Sequence, residues 1–325
     1  MHKQNTHAWH RAPLAMVVLG GGMAVVTAVL RVALMPFLHD GDTGRFSANY
    51  IAIAAVAATL LVLMFLAVHT YRSRVDITTP RAISSASAAI IAGGVLGVSS
   101  AYQMGLWLLD GTLPEPGLLQ VNTLSLLVLC GMLTFGLLGA IGLIRWGLRV
   151  AAESGTRRGM STWWMLTPVM WAWFRLVWYE MAYAGTIGWS EKFFDFLMVI
   201  AQMLFLFKLA RFSSGIGRVT SGEMLFYTMS TVLLSLSGPL TRVSLYFFVG
   251  MEAYLASDLA GVADFGVGVF ALAFGRSLAL DCRTQTINFA EDGEMLAEDD
   301  DPYNPSIEPL LISDNEAEDE EYNQP

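Results

Sequence analysis

Residues Gln120–Ile144 read QVNTLSLLVLCGMLTFGLLGAIGLI, and Arg145 follows immediately. The run carries no charge and is long enough to span a bilayer, whose hydrocarbon core takes about 20 mainly apolar residues of helix. An arginine directly after such a run marks the level where the chain meets water. Seven further runs repeat the pattern: Pro13–Met35, Ala48–His69, Ser84–Leu109, Ser161–Tyr183, Phe193–Phe212, Gly222–Leu240 and Ser257–Ala279. The expected fold is therefore all-α, a polytopic transmembrane bundle of about eight helices.

Composition leads to the same place. Of 325 residues, 54% are hydrophobic and 14% charged, against about 25% charged in soluble domains. A soluble core of this size has no room for that much apolar surface, whereas lipid solvates it. The first run is expected to be a retained helix rather than a cleaved signal, since no small-residue cleavage site and soluble domain follow it.

Orientation comes from the basic residues in the short loops. One set of flanks holds Lys3 and Arg11, Arg72, Arg74 and Arg81, Arg145, Arg149, Arg157 and Arg158, Lys208, Arg211 and Arg218, and Arg276 and Arg283. The alternate loops hold only Arg45, Lys192 and Arg242. That asymmetry places both termini inside.

Three parts follow: a cytoplasmic arm over 1–12, a transmembrane domain over 13–280, and an acidic tail over 281–325. The net charge of −9 belongs to the tail, which holds 15 of the 28 acidic residues and one basic residue, Arg283. The remainder carries 18 basic and 13 acidic groups. With little apolar content to offset ordering entropy, the tail is expected to be disordered. Its exception is the island Ile307–Ile312, where Leu310 and Leu311 form a candidate docking motif for a protein partner, set against chance occurrence.

The two halves of the bundle differ. The first is rich in small residues: Gly20–Gly22, Gly93 with Gly97, and Gly136, Gly139 and Gly142 at helical spacing. Small residues let helix backbones approach closely in lipid. The second half is aromatic and carries most of the intramembrane charge. Pro239 is expected to end the seventh helix, and Val243–Gly250 to lie as an interfacial or re-entrant segment before the eighth.

The fifth run holds five of the nine tryptophans, with Trp164, Trp171 and Trp178 seven apart on one face with Pro168 and Arg175. Counted from its outer end, Arg175 lies about 12 Å deep at 1.5 Å per residue. An arginine there needs compensation. Asp264 in the eighth run falls at a matching depth, and Gln103 and Gln202 near the same level. The expectation is a polar layer in the outer half, with Arg175 and Asp264 as its ion pair and Trp171 and Trp178 on either side of the guanidinium. A structural pair that fixes helix register is preferred over a site for a small solute. Arg31 and Asp195 are expected near the outer interface, snorkelling or wet.

Chemistry is otherwise sparse. No His-Glu-x-x-His, Gly-rich phosphate loop or Gly-x-Ser-x-Gly elbow is present. Three of five histidines, His2, His7 and His10, lie in the arm without acidic or cysteine neighbours to share a metal. Cys130 and Cys282 fall at different depths, so no disulfide is expected. An aspartyl mechanism in the membrane needs two facing acids, and only Asp264 lies deep enough. No cofactor is expected, and no basic module suited to nucleic acid appears. The expected function is that of a non-enzymatic interaction, scaffold or accessory protein in a cell membrane, by its compact plan a bacterial plasma membrane. The alternative is a secondary carrier of a small anionic or zwitterionic solute, with Arg175 and Asp264 at its centre.

Overall fold

The computed structural model describes residues 12–40, 45–46, 50–71, 83–110, 123–152, 162–183, 189–214, 220–249 and 259–298. Eight helices lie among them: α1 (Ala12–Leu38), α2 (Tyr50–Tyr71), α3 (Ile83–Asp110), α4 (Thr123–Ala152), α5 (Thr162–Tyr183), α6 (Trp189–Ser213), α7 (Ser221–Val249) and α8 (Leu259–Glu298). Between α1 and α2 a two-residue antiparallel ladder sets His39 opposite Phe46 and Asp40 opposite Arg45. The chain divides into two compact units, Met1–Thr286 and Ile287–Pro325. The first holds the bundle.

Seven helices are long and apolar enough to cross a membrane. The eighth, α5, is 22 residues long but trades aliphatic residues for tryptophans, Pro168, Arg175 and Glu180, which lowers its apolarity without shortening it. Its neighbours on both sides are spanning helices, since it packs against α4 and α6.

Neighbours in sequence pack in pairs: α1 on α2, α3 on α4, α4 on α5, α5 on α6, and α6 on α7. Helix α7 also packs on α1 and α2. It is the enclosed helix of the bundle, with 83% of its span buried against 28% for α2. The outer face of α2, with Leu61, Val62 and Phe65 exposed, is an apolar surface of the kind lipid covers.

With no hydrophobic drive between helices in lipid, close backbone approach does the packing. A Cβ on Gly93 would stand 2.8 Å from the Ala140 carbonyl oxygen. One on Gly142 would strike the carbonyl oxygen of Trp164. These glycines seat α3 and α5 directly on α4.

Two expectations about the seventh helix and the segment after it need correction. Pro239 does not end α7, which continues to Val249. A proline removes one backbone donor and strains the preceding turn, which here costs the helix one hydrogen bond without ending it, and two hydroxyls beside it bond back to the chain's own carbonyls. Ser237 Oγ donates to the Leu234 carbonyl at 3.2 Å, and Thr241 Oγ1 to that of Ser237 at 2.7 Å. Val243–Val249 therefore belongs to α7 rather than to a separate interfacial segment, and 250–258 lies outside the described residues. The apolar span of α8 covers Gly261–Cys282, and the helix itself continues to Glu298; residues 283–298 contain no proline and several good helix formers. Residues 299–325, including Leu310 and Leu311, lie outside the described residues, as do 1–11. Neither cysteine is in a disulfide; Cys130 is exposed and Cys282 buried.

Candidate functional site

Helix α5 carries one inward stripe, Trp171, Arg175, Trp178 and Tyr179, at spacings of three and four residues. All four are buried, Arg175 at 2% exposure. Opposite it, α8 presents Asp264 at 0% exposure. The guanidinium grips the carboxylate with both terminal nitrogens: Nη1 donates to Oδ1, and Nη2 to Oδ2 at 2.7 Å. This two-pronged geometry is the strongest form an arginine–carboxylate contact takes.

Two other helices complete the shell. Gln202 of α6, fully buried, donates from Nε2 to Asp264 Oδ1 at 2.8 Å and to Ser235 Oγ of α7 at 3.0 Å. Within α5, Arg175 Nη2 also donates to the Tyr179 hydroxyl at 2.7 Å. Asp264 thus accepts from three donors, and a single network ties α5, α6, α7 and α8. The amide orientation of Gln202 follows from chemistry, because an ionised carboxylate only accepts and so must face the NH2 end. Its Oε1 is then buried with no hydrogen-bond partner among the described residues, and the same holds for the indole Nε1 of Trp178.

The structure brings Arg175, Asp264 and Gln202 together and adds Tyr179 and Ser235, which sequence reasoning missed. Tyr179 was legible: it stands four residues after Arg175, one turn along the same face. Ser235 was not, since nothing in the sequence selects it from its hydroxyl-bearing neighbours. The guanidinium lies 5.4 Å from the Trp171 ring centroid and 5.1 Å from that of Tyr179. The expected second tryptophan is therefore replaced by the tyrosine, with no described ring contact between Arg175 and Trp178.

Gln103 stands apart. It is half-buried on α3, and no hydrogen bond among the described residues joins it to the network. Gly266 of α8 sits against Ala92 and Val95 of α3, which sets the level of α3 beside Asp264. Gln103 is eight residues beyond Val95, about 12 Å further along at 1.5 Å per residue. Depths counted from sequence ends missed the offset between helices.

Arg31 and Asp195 also depart from expectation. Instead of reaching water, both are buried, at 2% and 6% exposure. The Arg31 guanidinium sits 4.6 Å from the ring centroid of Phe194. The face of α1 that carries Arg31 is covered by α6 through Phe194. At the other end of the bundle, Lys208 of α6 pairs with Glu223 of α7 in an ion pair whose carboxylate side chain is 35% exposed. Among the described residues no group of three or more His, Cys, Asp and Glu side chains is placed to hold a metal ion. The chain matches no family model, no curated protein and no solved structure.

Proposed function

We propose that this is a non-enzymatic membrane protein that works by interaction, as a scaffold or accessory subunit, with the Arg175–Asp264 network locking the bundle that presents its surfaces. The observation that carries this reading is the way Asp264 consumes its donors: side chains from α5 and α6 converge on one carboxylate, and α7 joins through Gln202. Such a network fixes four helices in one register, the best-attested role of buried ionic groups. In this reading both termini are cytoplasmic, the membrane is a bacterial plasma membrane, and a protein partner meets the helix surfaces or the acidic C-terminal segment around Leu310 and Leu311. The test is pairwise substitution. Arg175→Ala should lower folded yield, and adding Asp264→Asn should recover much of it; no recovery would show that the pair is not a lock.

A second reading, a carrier of a small anionic or zwitterionic solute, draws on one specific observation. Gln202 Oε1 and Trp178 Nε1 are buried polar atoms without described partners in and beside the network, and such groups call for explanation. In that reading Arg175 contacts the anion and Asp264 serves as counter-ion or proton carrier. Gln202→Cys separates the two: labelling by a membrane-impermeant thiol reagent from outside supports a solute path, and complete protection in every condition removes it.

A further inference from the structure

The end of the bundle where α4 stops and α5 begins gathers arginines and tryptophans at one level. The contact between Gly142 and the Trp164 carbonyl seats the first turn of α5 against α4. Thr167 Oγ1 secures it, donating to the carbonyls of Trp164 at 2.8 Å and Leu138 at 3.1 Å. One turn past Gly142, the exposed Arg145 holds its guanidinium 4.8 Å from the Trp164 ring centroid. Arg149 follows one turn later on the same face, half-buried, with Leu148 exposed beside it. Trp163 is 79% exposed. Among the described residues no carboxylate pairs with Arg145.

Depth decides what such a group meets. Arg145 lies about 33 Å along α4 from Thr123 at 1.5 Å per residue, just beyond a hydrocarbon core of about 30 Å. That is the level of the phosphates.

We propose that Arg145 and Arg149 form a binding site for the phosphate headgroup of an anionic phospholipid, with Trp163 and Leu148 against its glycerol and upper acyl chain. A guanidinium meets phosphate oxygens with paired N–H donors, which an ammonium does not. The Trp164 ring beneath Arg145 holds that fork in place by cation–π contact. Tryptophan with one face apolar and one end wet is the residue that settles at the headgroup level. A soluble phosphate would have no use for the exposed Trp163 and Leu148, and this favours lipid. The site depends on membrane embedding alone, and not on whether the protein is a scaffold or a carrier.

The test uses the full chain in phosphatidylcholine nanodiscs containing a minor fraction of phosphatidylglycerol, reading the phosphatidylglycerol retained per protein by native mass spectrometry. The wild type should enrich it over phosphatidylcholine. Arg145→Gln with Arg149→Gln should reduce that enrichment about tenfold or more, the effect of two surface cations on anionic lipid. Arg276→Gln, an exposed arginine of α8, should leave it unchanged. Equal loss with Arg276→Gln would reduce the site to diffuse attraction and overturn it, as would full enrichment in the double variant. Glycerol phosphate in solution should not displace the lipid; displacement would make the site one for soluble anions instead. If the double variant folds poorly, the single variants decide the question: each should lose part of the enrichment, and full enrichment in both would overturn the site.

Discussion

Arg175 on α5 and Asp264 on α8, 89 residues apart in sequence, meet through both guanidinium nitrogens and both carboxylate oxygens in a site closed to solvent. Removing two charges from water is costly, and their attraction offsets the cost only with good geometry and further hydrogen bonds. Tyr179 and Gln202 supply those bonds.

The unpaired partner should therefore be the damaging state. Arg175→Ala is expected to destabilise the protein by about 3–5 kcal/mol, because it strands Asp264 in the interior. Asp264→Asn in the same chain removes the stranded charge and should restore more than half of that loss. Thermal unfolding in detergent, followed by fluorescence-detected size exclusion, measures both.

Lys208 and Glu223 give the contrast. They also form an ion pair, but Glu223 is about a third exposed, so water already screens it. Lys208→Met is expected to cost under about 1 kcal/mol, the range of surface pairs. A loss matching that of Arg175→Ala in the same unfolding assay would show that exposure does not set the difference.

Glycine substitutions should divide by what the new methyl meets. Gly142→Ala places a Cβ against the Trp164 carbonyl, a backbone atom that moves only with α5, and should destabilise by about 1–3 kcal/mol through overpacking. Gly105→Ala meets nothing within 4 Å and should be neutral or stabilising by up to about 1 kcal/mol from helix propensity. Melting temperatures of the two variants decide it.

Topology is open to direct measurement. A reporter active only in the cytosol, fused after Leu113, should be silent, and one fused after Ala152 should be active, as the arginine distribution requires. The opposite pattern would invert the bundle.

Individual elements show why some features were legible before folding and others were not. The spans of α1 to α4 and of α6 follow from local composition, since a run of apolar residues is costly in water wherever it sits. The end of α7 did not follow, because a proline removes one backbone donor and reads as a stop, while the helix on both sides of Pro239 keeps its own ladder and runs on to Val249. The reach of α8 past residue 280 was hidden for a related reason: low apolar content argues against burial, not against helix. Arg175 announced its need for a counter-charge by depth alone, and Asp264 stood out as the one deep acid. Ser235 and the burial of Arg31 depended on how neighbouring helices are rotated and offset.

Taken alone, the order of residues determined that this chain forms apolar helices with arginine-rich ends, because the transfer of each side chain between water and lipid is a local quantity. The convergence of Arg175, Tyr179, Gln202, Ser235 and Asp264, and the exclusion of Gln103 from them, was decided only by tertiary structure. A hydrogen bond between helices requires a particular rotation and a particular vertical offset, and these depend on how helices distant in sequence pack, as where Gly142 meets Trp164 and Gly266 meets Ala92.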